Sequence, residues 1–343
     1  MQLGAMMRIK FVGLAFCSFL IFWATGLAFP VEAQSDLKAP DTTAAPQSPA
    51  KANAQPEITT IKVGLGPQGI AFTPGAVWVA YGDDKVFGVA RIDANTNKVV
   101  QYVRTGKWPV GVAAGEGAVW VGNRDDNSVT RVDPETNQVV ATIVVGKKPM
   151  GVAVGEGSIW VSNGGGKSVS RIDPRTNSVI ATIPVGKEPS GIAVSDGIVW
   201  VANFGGRFSS AGSLSRIDPH TNAVTAVIKL TGYANTVTAR GSDVWVTCQY
   251  GPSVQRIDAR SNSVVASTAM FGDATGIAVL DGVLWVADGG HAAIKQIDLQ
   301  STAVIGAPIG VGDGPMIFGV GTDGNGAIWV SNSSSGTVTR IKP

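Results

Sequence analysis

The chain has 343 residues, with 27 basic against 25 acidic side chains, and only 15% of it is charged. That balance supplies no general electrostatic footprint for a phosphate backbone, so composition argues against nucleic acid as a partner. Forty-four glycines and many β-branched residues suit short strands and tight turns, and argue against amphipathic helices.

Residues 1–33 read as an export signal. Arg8 and Lys10 form a short positive region, an apolar run from Phe11 to Phe29 follows, and Val31-Glu32-Ala33 offers small residues where a signal peptidase reads. Cleavage is expected after Ala33, which makes the protein periplasmic or extracellular. Left uncleaved, the same run is long enough to span a bilayer and would be the chain's one membrane contact. Removing Arg8, Lys10 and Glu32 leaves 25 basic and 24 acidic residues. Residues 34–57 are rich in Ala, Pro, Thr and Ser, with too few large apolar groups to offset chain entropy, and are expected to form a disordered tether. Cys248 is then the only cysteine left, so no intramolecular disulfide is expected.

From residue 58 onward the sequence repeats. Tryptophans stand at 78, 120, 160, 200, 245, 285 and 329, spaced 40 to 45 residues apart. A second marker keeps the same beat: Arg91-Ile92-Asp93, Arg131-Val132-Asp133, Arg171-Ile172-Asp173, Arg216-Ile217-Asp218 and Arg256-Ile257-Asp258, then Gln296-Ile297-Asp298 and Arg340-Ile341-Lys342. One unit shows four strands. Gly151–Val154 is an inner strand a, Ser158–Asn163 strand b, Ser168–Asp173 strand c and Ser178–Val185 an outer strand d. The Asp173-Pro174-Arg175-Thr176-Asn177 segment has the chemistry of a hairpin turn. Four strands at this period describe a blade of a β-propeller, and seven copies predict an all-β, seven-bladed propeller over residues 58–343. The seven tryptophans are expected to fill the space between blades.

The last repeat stops after its strand c, while Ile58-Thr59-Thr60-Ile61-Lys62-Val63-Gly64 matches the d strands Val139–Gly146 and Val179–Gly186. The N-terminal strand is therefore expected to complete the seventh blade and close the ring. Without it the last strand would be an open, aggregation-prone edge.

The unit from Ser168 to Gly186 resembles the YVTN-type β-propeller repeat, and the likeness covers residues 58–343. It implies an exported or cell-surface propeller, often with no known enzymatic role. The Trp-Val-x-Asn and Val-x-Arg-Ile frames are also similar to the repeat of virginiamycin B (streptogramin B) lyases. That resemblance implies metal-assisted opening of a cyclic depsipeptide ester, with magnesium, histidine and glutamate near the mouth of the channel.

Function is expected on the face that carries the d-to-a and b-to-c loops. Residues that begin strand a (Gln68, Val110, Met150, Ser190, Asn235, Thr275 and, in the longer last repeat, Ile317) include no carboxylate and no histidine. A second ring, three residues after each tryptophan, reads Tyr81, Asn123, Asn163, Asn203, Cys248, Asp288 and Asn332. These amides either bond nearby backbone or form a polar rim for a neutral ligand. Of the two histidines, His220 sits in a turn that elsewhere holds Glu135 or Arg175, which marks it as solvated. His291 lies in the b-to-c loop of blade six, three residues after Asp288, and this pair is the candidate base and carboxylate. Asp83-Asp84 and Asp125-Asp126, in adjacent b-to-c loops, are the candidate set for a loosely held Mg²⁺ or Ca²⁺. Trp108, together with Phe204, Arg207 and Phe208 of an expanded loop in blade four, is the candidate recognition surface. Lys107, Lys147, Lys148 and Lys187 form a basic arc suited to an anionic glycan or nucleic acid.

Three functions stay open from the sequence. The first is a non-catalytic binding module for a small molecule, glycan or protein, expected to be monomeric and to need no cofactor. The second is a lyase-like enzyme with His291 as base, and Asp288 with a loop acid holding Mg²⁺. The third is an anion binder that uses the lysines.

Overall fold

A computed structural model describes residues 55–343, apart from 83, 84, 207–210, 252, 270, 271, 313 and 315. The export signal and most of the tether lie outside the described residues. The described strands assemble into seven four-stranded antiparallel sheets. In blade three, strand a runs Pro149–Gly155, b Ser158–Asn163, c Ser168–Asp173 and d Ser178–Pro184. The ring is closed as expected. Glu57–Lys62 pairs antiparallel with Thr337–Lys342, Thr59 opposite Arg340, and so supplies strand d to the sheet of Ile317–Thr322, Ile328–Asn332 and Thr337–Lys342. The closing strand ends at Lys62, with Val63 and Gly64 bonding onward to the Gly336 carbonyl.

Each interface between blades holds one apolar cluster built around a tryptophan. Trp120 packs with Ile159, Val161 and Ile172 of the next blade, and Trp160 with Val199, Val201 and Ile217. Trp329 meets Val77, Val79 and Ile92 across the closure. Burying one such ring removes ~150–250 Å² from water, roughly 4–6 kcal/mol of gross transfer free energy and an upper estimate.

The second sequence marker works at the same interfaces. Arg171 lies over its own blade's Trp160 ring, 4.8 Å from the centroid, and donates to the Pro219 carbonyl and to Asn222 Oδ1 (2.9 Å) in the c-to-d turn of the next blade. Arg131 repeats this with Trp120, the Pro174 carbonyl and Asn177. The arginine thus staples consecutive blades, and its planar fork is what lets one side chain stack and reach two acceptors. The aspartate two residues on shapes its own turn: Asp133 Oδ1 accepts from the Glu135 and Thr136 amides, at 2.8 and 3.2 Å. Such backbone hydrogen bonds hold the carboxyls of Asp93, Asp133, Asp173, Asp218, Asp258 and Asp298 below the usual range.

Around the axis, the inner strands approach at Gly69, Gly111, Gly151, Gly191, Gly276 and Gly319. A Cβ at any of them would lie 2.8 Å or less from the next blade's backbone. Blade five alone carries Thr236 there.

Candidate functional site

The ring three residues after each tryptophan ends strand b, and it faces inward. In blade three, Asn163 Nδ2 donates to Ser168 Oγ (3.1 Å) and Ser170 Oγ (2.9 Å) on strand c. Asn123 bonds Ser128 and Thr130, Asn203 bonds Ser213 and Ser215, and Asn332 bonds Thr337 and Thr339. The glycine that opens the d-to-a turn lies flat on the amide: Gly106 N–H donates to Asn123 Oδ1 (3.1 Å), and a Cβ at Gly146 or Gly186 would collide with Asn163 or Asn203. All four asparagines are buried. They tie strand b to strand c and the turn, and do not form a solvent-facing rim. Tyr81, at the same position in blade one, is also buried, with its ring edge on Tyr102. Burial raises its phenol pKa.

Blades five and six keep the position and change its chemistry. In blade five, Gln255 Nε2 donates to Cys248 Sγ (3.1 Å), and burial pushes the thiol up to about 12. In blade six the asparagine becomes Asp288 and the strand c hydroxyl becomes Lys295. Their charged groups meet at 2.7 Å, Asp288 almost wholly buried and Lys295 largely so. His291, 62% exposed, places Nδ1 3.0 Å from Asp288 Oδ2, so the expected histidine–aspartate pair is assembled. Asp273, in the turn before strand a, accepts the Gly289 amide at its carbonyl (2.8 Å). Burial first, and the neighbouring Asp288 charge second, raise the Asp273 carboxyl, with His291 acting the other way.

The acidic pairs do not come together as a cation cradle among the described residues. Asp125 lies 3.7 Å from Arg124 Nη1, and Asp126 Oδ2 accepts the Lys107 amide (2.8 Å). Asp83 and Asp84 lie outside the described residues. Asp288 is already committed to Lys295 and His291, and no three His, Cys, Asp or Glu side chains among the described residues are placed to share an ion. Among the described residues, Asp125, Asp126 and Asp288 do not by themselves make an oxygen cage for Mg²⁺ or Ca²⁺.

The recognition candidates fall into two groups. Trp108 is half-buried under the Arg124 guanidinium, 5.4 Å from the ring centroid. Phe204 stacks on Tyr233 at 5.0 Å and 14°, and Tyr250 meets Tyr233 edge-on at 5.7 Å. Tyr250 is 76% exposed. Arg207 and Phe208 lie outside the described residues. Lys107, Lys147, Lys148 and Lys187 are all exposed.

Trp108 belongs to a ring that a residue-by-residue reading of the sequence misses. Three positions before the inner-strand glycine (Thr236 in blade five) the seven blades carry Gly66, Trp108, Lys148, Glu188, Tyr233, Asp273 and Met316. All seven differ, and all are exposed or half-exposed. Most of the seven share backbone features, whereas Tyr233 begins a strand and pairs with Gln249. The carbonyls of Trp108, Lys148, Glu188, Asp273 and Met316 each accept an amide from the b-to-c loop of the same blade, at 2.8 to 3.0 Å. Gly66, Trp108, Lys148, Glu188 and Met316 share the left-handed conformation that L residues rarely adopt. The residues that begin strand a, two residues on (one on in the last blade), fall in a recurring register irregularity of that strand, where Ser190 Oγ donates to Asn235 Oδ1 (3.4 Å). Tyr233, Tyr250, Asp273 and Lys295 were not singled out in the sequence. Alignment of each blade against its sisters is the signal that would have found them.

No family model and no curated protein sequence matches this chain. Solved structures do. Hydrazine synthase of Kuenenia stuttgartiensis superposes with a TM-score of 0.71 at 18% identity, covering 82% of this chain and 97% of that one. A catalytically inactive virginiamycin B lyase variant from Staphylococcus aureus, solved with quinupristin, gives 0.72 at 16%, covering 84% and 100%. A chain of a mitotic checkpoint complex gives 0.73 at 13%, covering 93% and 99%. At these identities the likeness is one of fold, a propeller put to varied uses.

Proposed function

We propose that this chain is an exported, YVTN-type propeller that works as a binding module through its d-to-a and b-to-c loop face. The observation that carries the reading is the ring of seven unlike side chains at one repeated position, five of them on the same left-handed backbone. Framework positions recur from blade to blade because each blade has the same packing problem. A position whose side chain runs through Gly, Trp, Lys, Glu, Tyr, Asp and Met at one place in the repeat has no shared packing role, and recognition is the role left for it. Blades four to six add Phe204, Tyr250 and His291 beside Tyr233 and Asp273. The aromatic content favours a ligand with ring groups, such as a glycan or a peptide carrying aromatic residues, over a polyanion. Glu188 and Asp273 break the lysine arc, which weighs against an anionic partner.

The test is a thermal-shift and calorimetric screen of the mature protein against glycans and aromatic peptides, repeated with Trp108→Ala and Tyr233→Ala. Specific binding raises the melting temperature with ligand concentration. At least one of the two variants should weaken it tenfold or more while leaving the unliganded melting temperature within about 2 °C, as surface positions do. Binding that ignores both substitutions would remove the loop face from consideration.

A second reading rests on the His291–Asp288 contact. A carboxylate on Nδ1 orients the ring and leaves Nε2 to take a proton, the arrangement of a general base. A histidine-to-alanine change is the inactivating one in the named variant of the virginiamycin B lyase, and elimination from a depsipeptide ester would need such a base. Turnover of a cyclic depsipeptide, abolished by His291→Ala, would establish it; an unchanged ester linkage after prolonged incubation would dismiss it.

A further inference from the structure

The opposite mouth of the channel, where strands a turn back into strands b, carries a shallow, open depression of about 390 Å³. It is confined to four consecutive blades: five, six, seven and one. Phe72, Ile277 and Val279 supply an apolar lining, and Thr238, Thr322 and Arg240 the polar groups. Gly321 leaves the space that the Phe72 ring fills. Arg240 is exposed, and among the described residues no carboxylate pairs with it.

We propose that this mouth binds a small carboxylate with an apolar body, of the size of a medium-chain fatty acid or an arylalkanoate. The volume falls in the range of small-molecule sites, about 300–1,000 Å³. One guanidinium matches one carboxylate through two parallel hydrogen bonds. A phosphate dianion would leave half its charge uncompensated on such a lining, and a neutral chain would leave the arginine unused. Arg240 takes the charged end, and Phe72 and Val279 take the tail. The site is independent of the loop face.

Titrating the mature protein by calorimetry at physiological salt with octanoate, octanol and octylamine tests this. Octanoate should bind saturably and at least tenfold tighter than octanol. Arg240→Ala should erase that preference, and Arg240→Glu should reverse it in favour of octylamine. Both variants should melt like the parent, since the guanidinium is exposed and unpaired. Equal binding of octanoate and octanol, octanoate binding unchanged in Arg240→Glu, or no saturable binding at millimolar ligand would each overturn the proposal.

Discussion

The Asp288–Lys295 pair in blade six offers the sharpest test of how this repeat is built. Sister blades hold the same junction with a neutral amide on hydroxyls, as in Asn163 on Ser168 and Ser170. In blade six two opposite charges meet at 2.7 Å, with 1% and 12% of their side chains exposed. Removing one partner strands the other in a low-dielectric junction, which costs about 3–5 kcal/mol, whereas replacing both is often close to neutral. Lys295→Met preserves length and removes the charge, leaving the carboxylate with His291 alone. Asp288→Asn restores the amide of the sister blades and removes the carboxylate that meets the ammonium at 2.7 Å. Each single variant should lose ~3 kcal/mol, roughly 5 °C in melting temperature for a domain of this size. The double variant should recover much of that loss, with a coupling of about 2 kcal/mol or more. Chemical denaturation of all four proteins at pH 7 gives the cycle directly. Additivity within about 0.5 kcal/mol would refute the reasoning, because it would mean that the two charges do not depend on each other.

Other consequences can be checked in the same preparations. Arg171→Lys keeps the charge but cannot both stack on Trp160 and reach two acceptors in the next blade, so denaturation should show a loss of about 1–2 kcal/mol. Asp273 has a carboxyl raised above its ordinary value, so the native state binds its proton more readily than the unfolded chain. Its contribution to stability therefore falls as pH rises from the ordinary carboxylate value, about 3.9, through the raised one. Asp273→Asn should accordingly melt higher than the parent at pH 7, with the advantage gone near pH 3 in a pH series of melting curves. Cys248, buried and with its thiol pushed up to about 12, should resist a thiol reagent at pH 8 in the native protein and react once it is unfolded. Deleting residues 57–62 exposes the edge of Thr337–Lys342 and should give insoluble or loosely folded protein; a soluble truncation with one sharp melting transition would contradict closure by that strand.

The repeat itself was legible in the sequence because its causes are local and recur. Trp160 is followed by Val161, Ser162 and Asn163 in the same frame as its sisters, since every blade must fill the same gap and close the same hairpins. The missing strand d of the last repeat and the spare strand at the N-terminus could be matched by pattern alone, and the closing strand lies within two residues of where the pattern put it. Orientation was another matter. An asparagine at the end of a strand reads equally well as a rim or as a brace, and only packing shows Asn163 buried against Gly146 and two serines. The acidic pair Asp125-Asp126 looks like a cation site in sequence, yet the fold turns one carboxylate to a backbone amide and brings the other near Arg124. The ring of exposed, unlike residues was hidden for the opposite reason. Gly66, Trp108, Lys148, Glu188, Tyr233, Asp273 and Met316 share no side-chain property, so no motif marks them. What unites them is a backbone position, and a backbone position becomes visible only when seven blades are laid around one axis. Sequence alone determined that there are seven blades, where each begins and how the ring is joined, because those depend on patterns within one repeat. Tertiary structure decided which side chains brace the ring, which stay exposed on the loop face, and that blade six carries a buried ion pair, because those depend on what the neighbouring turn and blade leave uncovered.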